Sequence, residues 1–320
     1  MSLQARTVGI IGVGHVGAHV GNSLLLQGIA DELYLCDIDR HATEAQTQDL
    51  SDSLLFCPHN ALIRDCGDRY EELASCDIIV NAAGKVALAK ENRDGELFFS
   101  SDAVHGFAQR IVDAGFKGIW VTIANPCDVV ATAFWKLTDY DPARIIGTGT
   151  ALDSARLRYQ IARVARIDPK SIDAYMVGEH GFSGFAAWSG ASIGGIPLQA
   201  LAELDPQRFD LDRDDLGKKA LYGGYVTLNG KGCTEYAVAN AAARIIAAVF
   251  HDEHSVMGAS TLLTGQYGQR GIFTSLPCII GREGIEEVLD PGLDDAEIEL
   301  FRASCEHIRT NISQISWWPK

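Results

Sequence analysis

The sequence predicts an α/β protein: a doubly wound parallel sheet in the first half, followed by an α+β domain. Short β-branched runs alternate with amphipathic stretches over residues 7–147, the pattern of a parallel sheet covered by helices. Beyond Thr150 that alternation gives way to glycine-rich, strand-like segments and then to longer helices. We divide the chain accordingly into 1–149 and 150–320.

Each element has its own reason. Residues 7–12 read as a strand and 16–27 as the helix that follows it; 32–37 and 42–54 repeat the pair. Residues 77–81 and 119–124 are near-continuous apolar runs, as expected of strands buried on both faces. A helical period fills 101–114 between them, and 144–147 is a short closing strand. In the second half, 152–164 reads as a helix carrying Arg156, Arg158 and Arg163, the last two read as surface charges. Hairpins are expected up to Pro197, then helices over 212–228 and 234–250. Asp294 and Glu297 form a capping box for a last helix. Its stripe Ile298, Phe301, Cys305, Ile308 and Ile312 has core spacing.

Composition narrows the function classes. With 42 acidic against 27 basic residues, a net charge of −15 and no basic run, the chain repels nucleic acid and anionic membrane surfaces at long range. The 8 cysteines are scattered with no Cys-x-x-Cys pair, so neither a zinc site nor a redox couple is expected, and reduced thiols in a cytoplasmic protein are. The apolar run 237–250 is short and interrupted by Asn240 and Arg244, which argues against a membrane span. The apolar start at 8–13 leads into a glycine loop rather than a cleavage site, so no signal peptide is expected.

That loop, Gly12-Val13-Gly14-His15-Val16-Gly17, follows a strand and opens a helix, as a Rossmann-type dinucleotide fingerprint requires. Gly12 permits the tight turn, Gly14 lets a pyrophosphate approach the backbone, and Gly17 lets helix and strand pack closely. Asp37 ends the second strand where a carboxylate can bind both hydroxyls of a ribose. It would repel a 2′-phosphate, so the expected cofactor is NAD rather than NADP.

Downstream, Leu152-Asp153-Ser154-Ala155-Arg156 and Gly178-Glu179-His180-Gly181 supply a histidine, an ionised partner for it, and a guanidinium. A carboxylate from Asp153 would fix the His180 tautomer and favour its protonated form, so His180 can give a proton to a ketone oxygen and take it back. Arg156 lies three residues after Asp153, near the same helix face, and its planar fork can hold a substrate carboxylate at two points. This set suits hydride chemistry on a 2-hydroxy acid. Asn125 opens an Asn-Pro turn after a buried strand; its amide can bond the substrate oxygen, orient a nicotinamide, or simply form the turn.

Taken in order, Gly12–Gly17, Asn125-Pro126-Cys127-Asp128-Val129, Ile146-Gly147-Thr148-Gly149-Thr150, Leu152–Arg156, Gly178–Gly181 and Asn229-Gly230-Lys231-Gly232 resemble the L-lactate/L-malate dehydrogenase family. Within it, the chain looks most like the L-2-hydroxyisocaproate dehydrogenase branch. The resemblance covers nearly the whole length. It implies His180 and Asp153 as the acid–base pair and Arg156 as the carboxylate ligand. It also implies an arginine in the lid, 84–95, that polarises the reacting carbonyl; Arg93 fits that place better than Lys85 or Lys90. The lid lacks the family's usual Pro-Gly and Gly-Glu elements. Thr234 matches a pocket-lining position. Ala87 falls where the family puts glutamine for lactate-type substrates or arginine for malate-type ones, and Val86, Leu88 and Ala89 beside it are apolar.

The expected activity is therefore an NAD-dependent L-2-hydroxy acid dehydrogenase acting on a 2-oxo acid with an apolar side chain, 2-oxoisocaproate-like. L-lactate dehydrogenase is the alternative, and malate dehydrogenase ranks below it. An NAD-dependent glycosidase, which Cys127 could suggest, and a non-catalytic NAD sensor are rivals of another class. The intact set of Arg156, Asp153 and His180 argues against both. No metal is expected, and a homodimer or homotetramer is implied by the resemblance alone.

Overall fold

The computed structural model describes residues 4–89 and 93–318. The first half runs β1 (Thr7–Ile11), α1 (His15–Leu26), β2 (Glu32–Cys36), α2 (Arg40–Ser53), β3 (Leu62–Gly67), β4 (Ile78–Asn81), α3 (Leu97–Asp113), β5 (Ile119–Thr122), α4 (Cys127–Thr138) and β6 (Ile145–Gly147). These six strands are parallel and lie in the order β3-β2-β1-β4-β5-β6. That is the doubly wound order, with its switch point between β1 and β4.

Alternation along the strands divides the core between the two faces of the sheet. Val8, Ile10, Ile78, Val80 and Val121 face one side; Ile11, Ile79 and Trp120 face the other. On the second side Phe107 of α3 and Phe134 of α4 pack on Trp120, with the Trp120 and Phe134 ring centroids 4.5 Å apart.

The second half begins with α5 (Ala151–Ala165) and the short strands β7 (Ile172–Asp173), β8 (Met176–Val177), β9 (Phe185–Ala186), β10 (Ser192–Ile193) and β11 (Ile196–Pro197). They pair antiparallel as expected, in one sheet of order β11-β10-β7 and a second made of β8 and β9. Then come α6 (Leu198–Leu204), α7 (Pro206–Phe209), α8 (Arg213–Lys231) and α9 (Tyr236–His251). The chain ends with β12 (Ser255–Thr264), β13 (Arg270–Gly281), β14 (Gly284–Val288) and α10 (Asp295–Ser313), whose N-terminus carries the anticipated capping box of Asp294 and Glu297.

Several elements carry little signal in the sequence. β3 is an edge strand with Arg64 and Asp65 exposed on it, so it shows no apolar run. α4 reads as Cys-Asp-Val-Val-Ala-Thr-Ala-Phe, a β-branched run that turns helical because nearly all of it is buried against the sheet. The antiparallel unit β12-β13-β14 joins the parallel strands through Ser260 and Gly147 to make one nine-stranded sheet. α9 lays Ala239, Ala242, Ala243 and Ile246 into the same core as β1 and β4, so both halves of the chain share it.

The junction at Gly147 has no spare room. A Cβ there would lie 2.6 Å from the Ser260 Cβ and 3.0 Å from the Cys127 Sγ. Gly147→Ala is expected to destabilise the protein by about 2 kcal/mol, read as a lower urea midpoint at unchanged slope. A midpoint equal to wild type would mean that the two parts of the sheet are not held this tightly.

Candidate active site

One cavity of about 960 Å³ opens at the carboxyl ends of the parallel strands. Gly12 after β1 and Ala82–Lys85 after β4 both line it, which puts it at the switch point. The three glycines of the loop have separate reasons. Gly12 has φ +87°, and a Cβ would sit 2.7 Å from the carbonyl carbon of Ala82. At Gly17 a Cβ would lie 1.9 Å from the Gly12 carbonyl oxygen. Gly14, the N-cap of α1, has nothing within 4 Å of its missing Cβ and faces the cavity. Its backbone, at a positive helix end, is open to a phosphate. Asp37 borders the same cavity, with one carboxylate oxygen accepting from the Val13 N–H at 2.9 Å and the other from the Asp39 N–H at 3.0 Å.

Further along the cavity stand Asn125, Arg156, His180, Thr234 and Ala87. Asp153 lies in the first turn of α5 and is 2% exposed. Its Oδ2 is 2.5 Å from His180 Nδ1, and its Oδ1 accepts from Arg156 Nη1 at 2.8 Å. The buried carboxylate thus binds the imidazole on one side and the guanidinium on the other, leaving His180 Nε2 as the ring's second nitrogen. Arg156 packs on α8 where Gly223 and Gly224 leave room; Cβ atoms there would meet it at 3.1 and 3.5 Å. Arg158 is half-buried rather than a surface charge: it donates to the Ala174 carbonyl at 3.1 Å and covers the Tyr175 ring.

The lid is described in part. Ala87 is exposed on a short helical turn, Val86–Ala89, and Arg93 begins another, Arg93–Glu96. The Arg93 side chain and all of Lys90 lie outside the described residues. Lys85 lines the cavity, and its N–H donates at 2.5 Å to Glu96, a buried carboxyl whose pKa is raised by burial against that bond.

With this geometry in place, comparison with known proteins is specific. Residues 6–147 match the lactate/malate dehydrogenase NAD binding domain, and 150–316 match the lactate/malate dehydrogenase alpha/beta C-terminal domain. The chain belongs to the lactate/malate dehydrogenase family. It is 40% identical over 304 residues to an L-lactate dehydrogenase of Fusobacterium nucleatum, covering 95% of each chain. It is 34% identical to L-lactate dehydrogenase 3 of Bacillus anthracis, over 99% of this chain and 100% of that one. Among solved structures, MGS-M5, a lactate dehydrogenase from a Medee basin deep-sea metagenome library, superposes with a TM-score of 0.91 at 31% identity, covering 98% of this chain and 100% of that one.

As a lactate/malate-type dehydrogenase the protein is an NAD-dependent oxidoreductase of small 2-hydroxy acids. The residues fit the cofactor: Gly14 offers an open cradle at a helix end, and Asp37 a carboxylate at the end of β2. Cys127, which could have suggested the glycosidase rival, is packed away from the cavity. Its Sγ accepts from the Gly149 N–H, and burial pushes the thiol up to about 12. No helix among the described residues is long and apolar enough to cross a membrane.

Sequence spacing assigns no role to one residue behind the His180 loop. Asp128, in the first turn of α4, accepts from the His180 backbone N–H at 2.7 Å and from Ser260 Oγ at 2.5 Å. Ser304 accepts the Glu179 N–H at 2.8 Å, and Gly178 bridges to Ser275, so α4, α10 and β13 together fix the His180 loop. The Asn-Pro-Cys-Asp motif contained the signal, but its partner lies 52 positions away.

Burial pushes the Asp128 carboxyl up to about 7, against the pull of both hydrogen bonds. Between 3.8 and about 7 the folded protein keeps a proton that the unfolded chain releases, so this group costs stability as pH rises through that window. The full cost, reached above about pH 7, is on the order of 4 kcal/mol. In urea titrations from pH 4 upward, Asp128→Asn is expected to gain on wild type as pH rises. A stability difference that is flat with pH would contradict this.

Proposed function

We propose that this dehydrogenase acts on L-2-hydroxy acids with apolar side chains, preferring a medium-sized, 2-oxoisocaproate-like 2-oxo acid to oxaloacetate. The observation that carries the reading is Ala87, a methyl group lining the cavity where the family uses glutamine or arginine. Leu152, Tyr225, Leu228 and Val238 add apolar wall, and Phe182 stacks on Tyr225 with centroids 5.8 Å apart. A second carboxylate, as in oxaloacetate, would be buried there against a methyl, which is costly. Each methylene of an aliphatic side chain would instead gain about 0.8 kcal/mol. The same lid supports the likeness to the hydroxyisocaproate branch. The lactate names of the relatives favour a second reading, in which pyruvate is the preferred acid.

When bound in the groove lined by Gly12, Gly14, Gly17 and Asp37, NAD would supply hydride-transfer chemistry at the substrate carbon. The remaining work falls to protein groups. In the reduction, His180 Nε2 gives its proton to the forming alkoxide, and in the oxidation it takes the hydroxyl proton. Asp153 holds Nδ1 and stabilises the charged ring; Arg156 fixes the substrate carboxylate through its fork. Arg93 polarises the carbonyl when the lid closes, Asn125 supports substrate oxygen or nicotinamide, and Thr234 shapes the wall. Gly12, Gly14, Gly17 and Asp37 hold the cofactor. In this reading 1–149 carries the cofactor, 150–320 the acid–base groups, and the protein self-associates as a dimer or tetramer.

The test is kcat/KM with NADH for 2-oxoisocaproate, phenylpyruvate, pyruvate and oxaloacetate. 2-Oxoisocaproate is expected to exceed oxaloacetate by about tenfold or more. Ala87→Arg should move the ratio about tenfold towards oxaloacetate. Pyruvate as the best substrate would establish the lactate reading, and oxaloacetate as the best would contradict the apolar wall.

A further inference from the structure

At the rim of the cofactor groove, three side chains that the dehydrogenase reaction does not use converge. His15 comes from the glycine loop, Cys233 from the turn after α8, and Glu235 from the residue before α9. One donor atom from each lies within 4.8 Å of the others. Their positions, 15 against 233 and 235, hide the group from any reading of sequence spacing.

The two distances from Glu235 suit edges of a small tetrahedral site, and the His15 and Cys233 donors lie within 4.8 Å of each other. Glu235 Oε2 lies 3.5 Å from His15 Nδ1 and 3.5 Å from Cys233 Sγ. With metal–nitrogen and metal–sulfur bonds of about 2.0–2.3 Å, the edges of a tetrahedral site are roughly 3.3–3.8 Å. The other oxygen, Oε1, is taken by Lys231 Nζ at 2.5 Å, so the carboxylate is ionised and Oε2 is turned towards the imidazole and the thiol. His19 also approaches Oε2, at 3.7 Å, but its Nδ1 is bonded to the His15 carbonyl oxygen at 2.7 Å; it belongs to the surround. Lys231 is the cation that a bound metal would have to tolerate.

We propose that His15, Cys233 and Glu235 form a site for a thiophilic divalent cation of the zinc class. Binding replaces the thiol proton, which leaves to solvent, with a metal–thiolate bond; no electron is transferred. A fourth position is left for water. Because His15 and Cys233 also line the cofactor cavity, the ion ties the glycine loop to the α8–α9 turn across the groove mouth, and cation and NADH binding become linked.

The experiment is a titration of the reduced, full-length enzyme with Co²⁺, read by the thiolate-to-cobalt charge-transfer absorption, followed by displacement with Zn²⁺. Wild type is expected to show the band saturating at a single site, bleached by zinc. Cys233→Ser should lose it, and His15→Ala and Glu235→Gln should bind about tenfold or more weakly, with circular dichroism confirming that each variant is folded. Zinc should shift the NADH dissociation constant of wild type, read by nucleotide fluorescence, by about threefold or more, and leave that of Cys233→Ser unmoved. No band in wild type, an undiminished band in folded Cys233→Ser, or an NADH affinity indifferent to zinc would overturn the proposal. None of these readouts depends on which 2-oxo acid the enzyme prefers.

Discussion

A carboxylate with 2% of its surface exposed has almost no water to hold its charge, and Asp153 is in that position at the centre of this molecule. Burial on that scale is tolerated only when both oxygens are bonded. Here Oδ2 meets His180 Nδ1 and Oδ1 meets Arg156 Nη1, while the first turn of α5 adds the favourable field of a helix N-terminus. One buried carboxylate therefore orients both the His180 ring and the Arg156 fork. Much of the second half can be understood as what is needed to bring His180 within reach of α5.

That delivery depends on distant parts of the chain. The His180 loop is bridged to β13 at Ser275, bonded to α10 at Ser304 and to α4 at Asp128. Asp128 in turn accepts from Ser260 on β12, the residue that meets Gly147 on β6. The contact that extends the parallel sheet into the antiparallel strands thus also belongs to the network behind the histidine. The glycine loop follows β1, and the His180 loop is bridged to β13 of the same nine-stranded sheet, which ties the position of the one loop to that of the other.

The sequence made legible whatever is local or strictly periodic. The Gly12–Gly17 loop, Asp37 at the end of β2 and the i, i+3 pair Asp153 and Arg156 are all short-range patterns, and each lines or supports the cavity. The buried strands showed as apolar runs. β3 stayed hidden because its exposed edge carries Arg64 and Asp65, and α4 because burial against the sheet overrides the strand preference of Val129, Val130 and Thr132. The work of Asp128 and the meeting of His15 with Cys233 were invisible for another reason. They join residues from different parts of the chain, and no spacing records that.

With its Oδ2 on Nδ1, Asp153 should set the proton arrangement of the His180 ring. Nitrogen-15 NMR of the imidazole, recorded at a pH where the ring is neutral, reads that arrangement directly. In wild type the expected tautomer has its proton on Nδ1, pointing at Asp153, and an unprotonated Nε2 towards the cavity. In Asp153→Asn, which can present an N–H in place of an acceptor, the proton should shift to Nε2 in a substantial share of molecules. The same tautomer in both proteins would contradict the claim that this carboxylate organises the site.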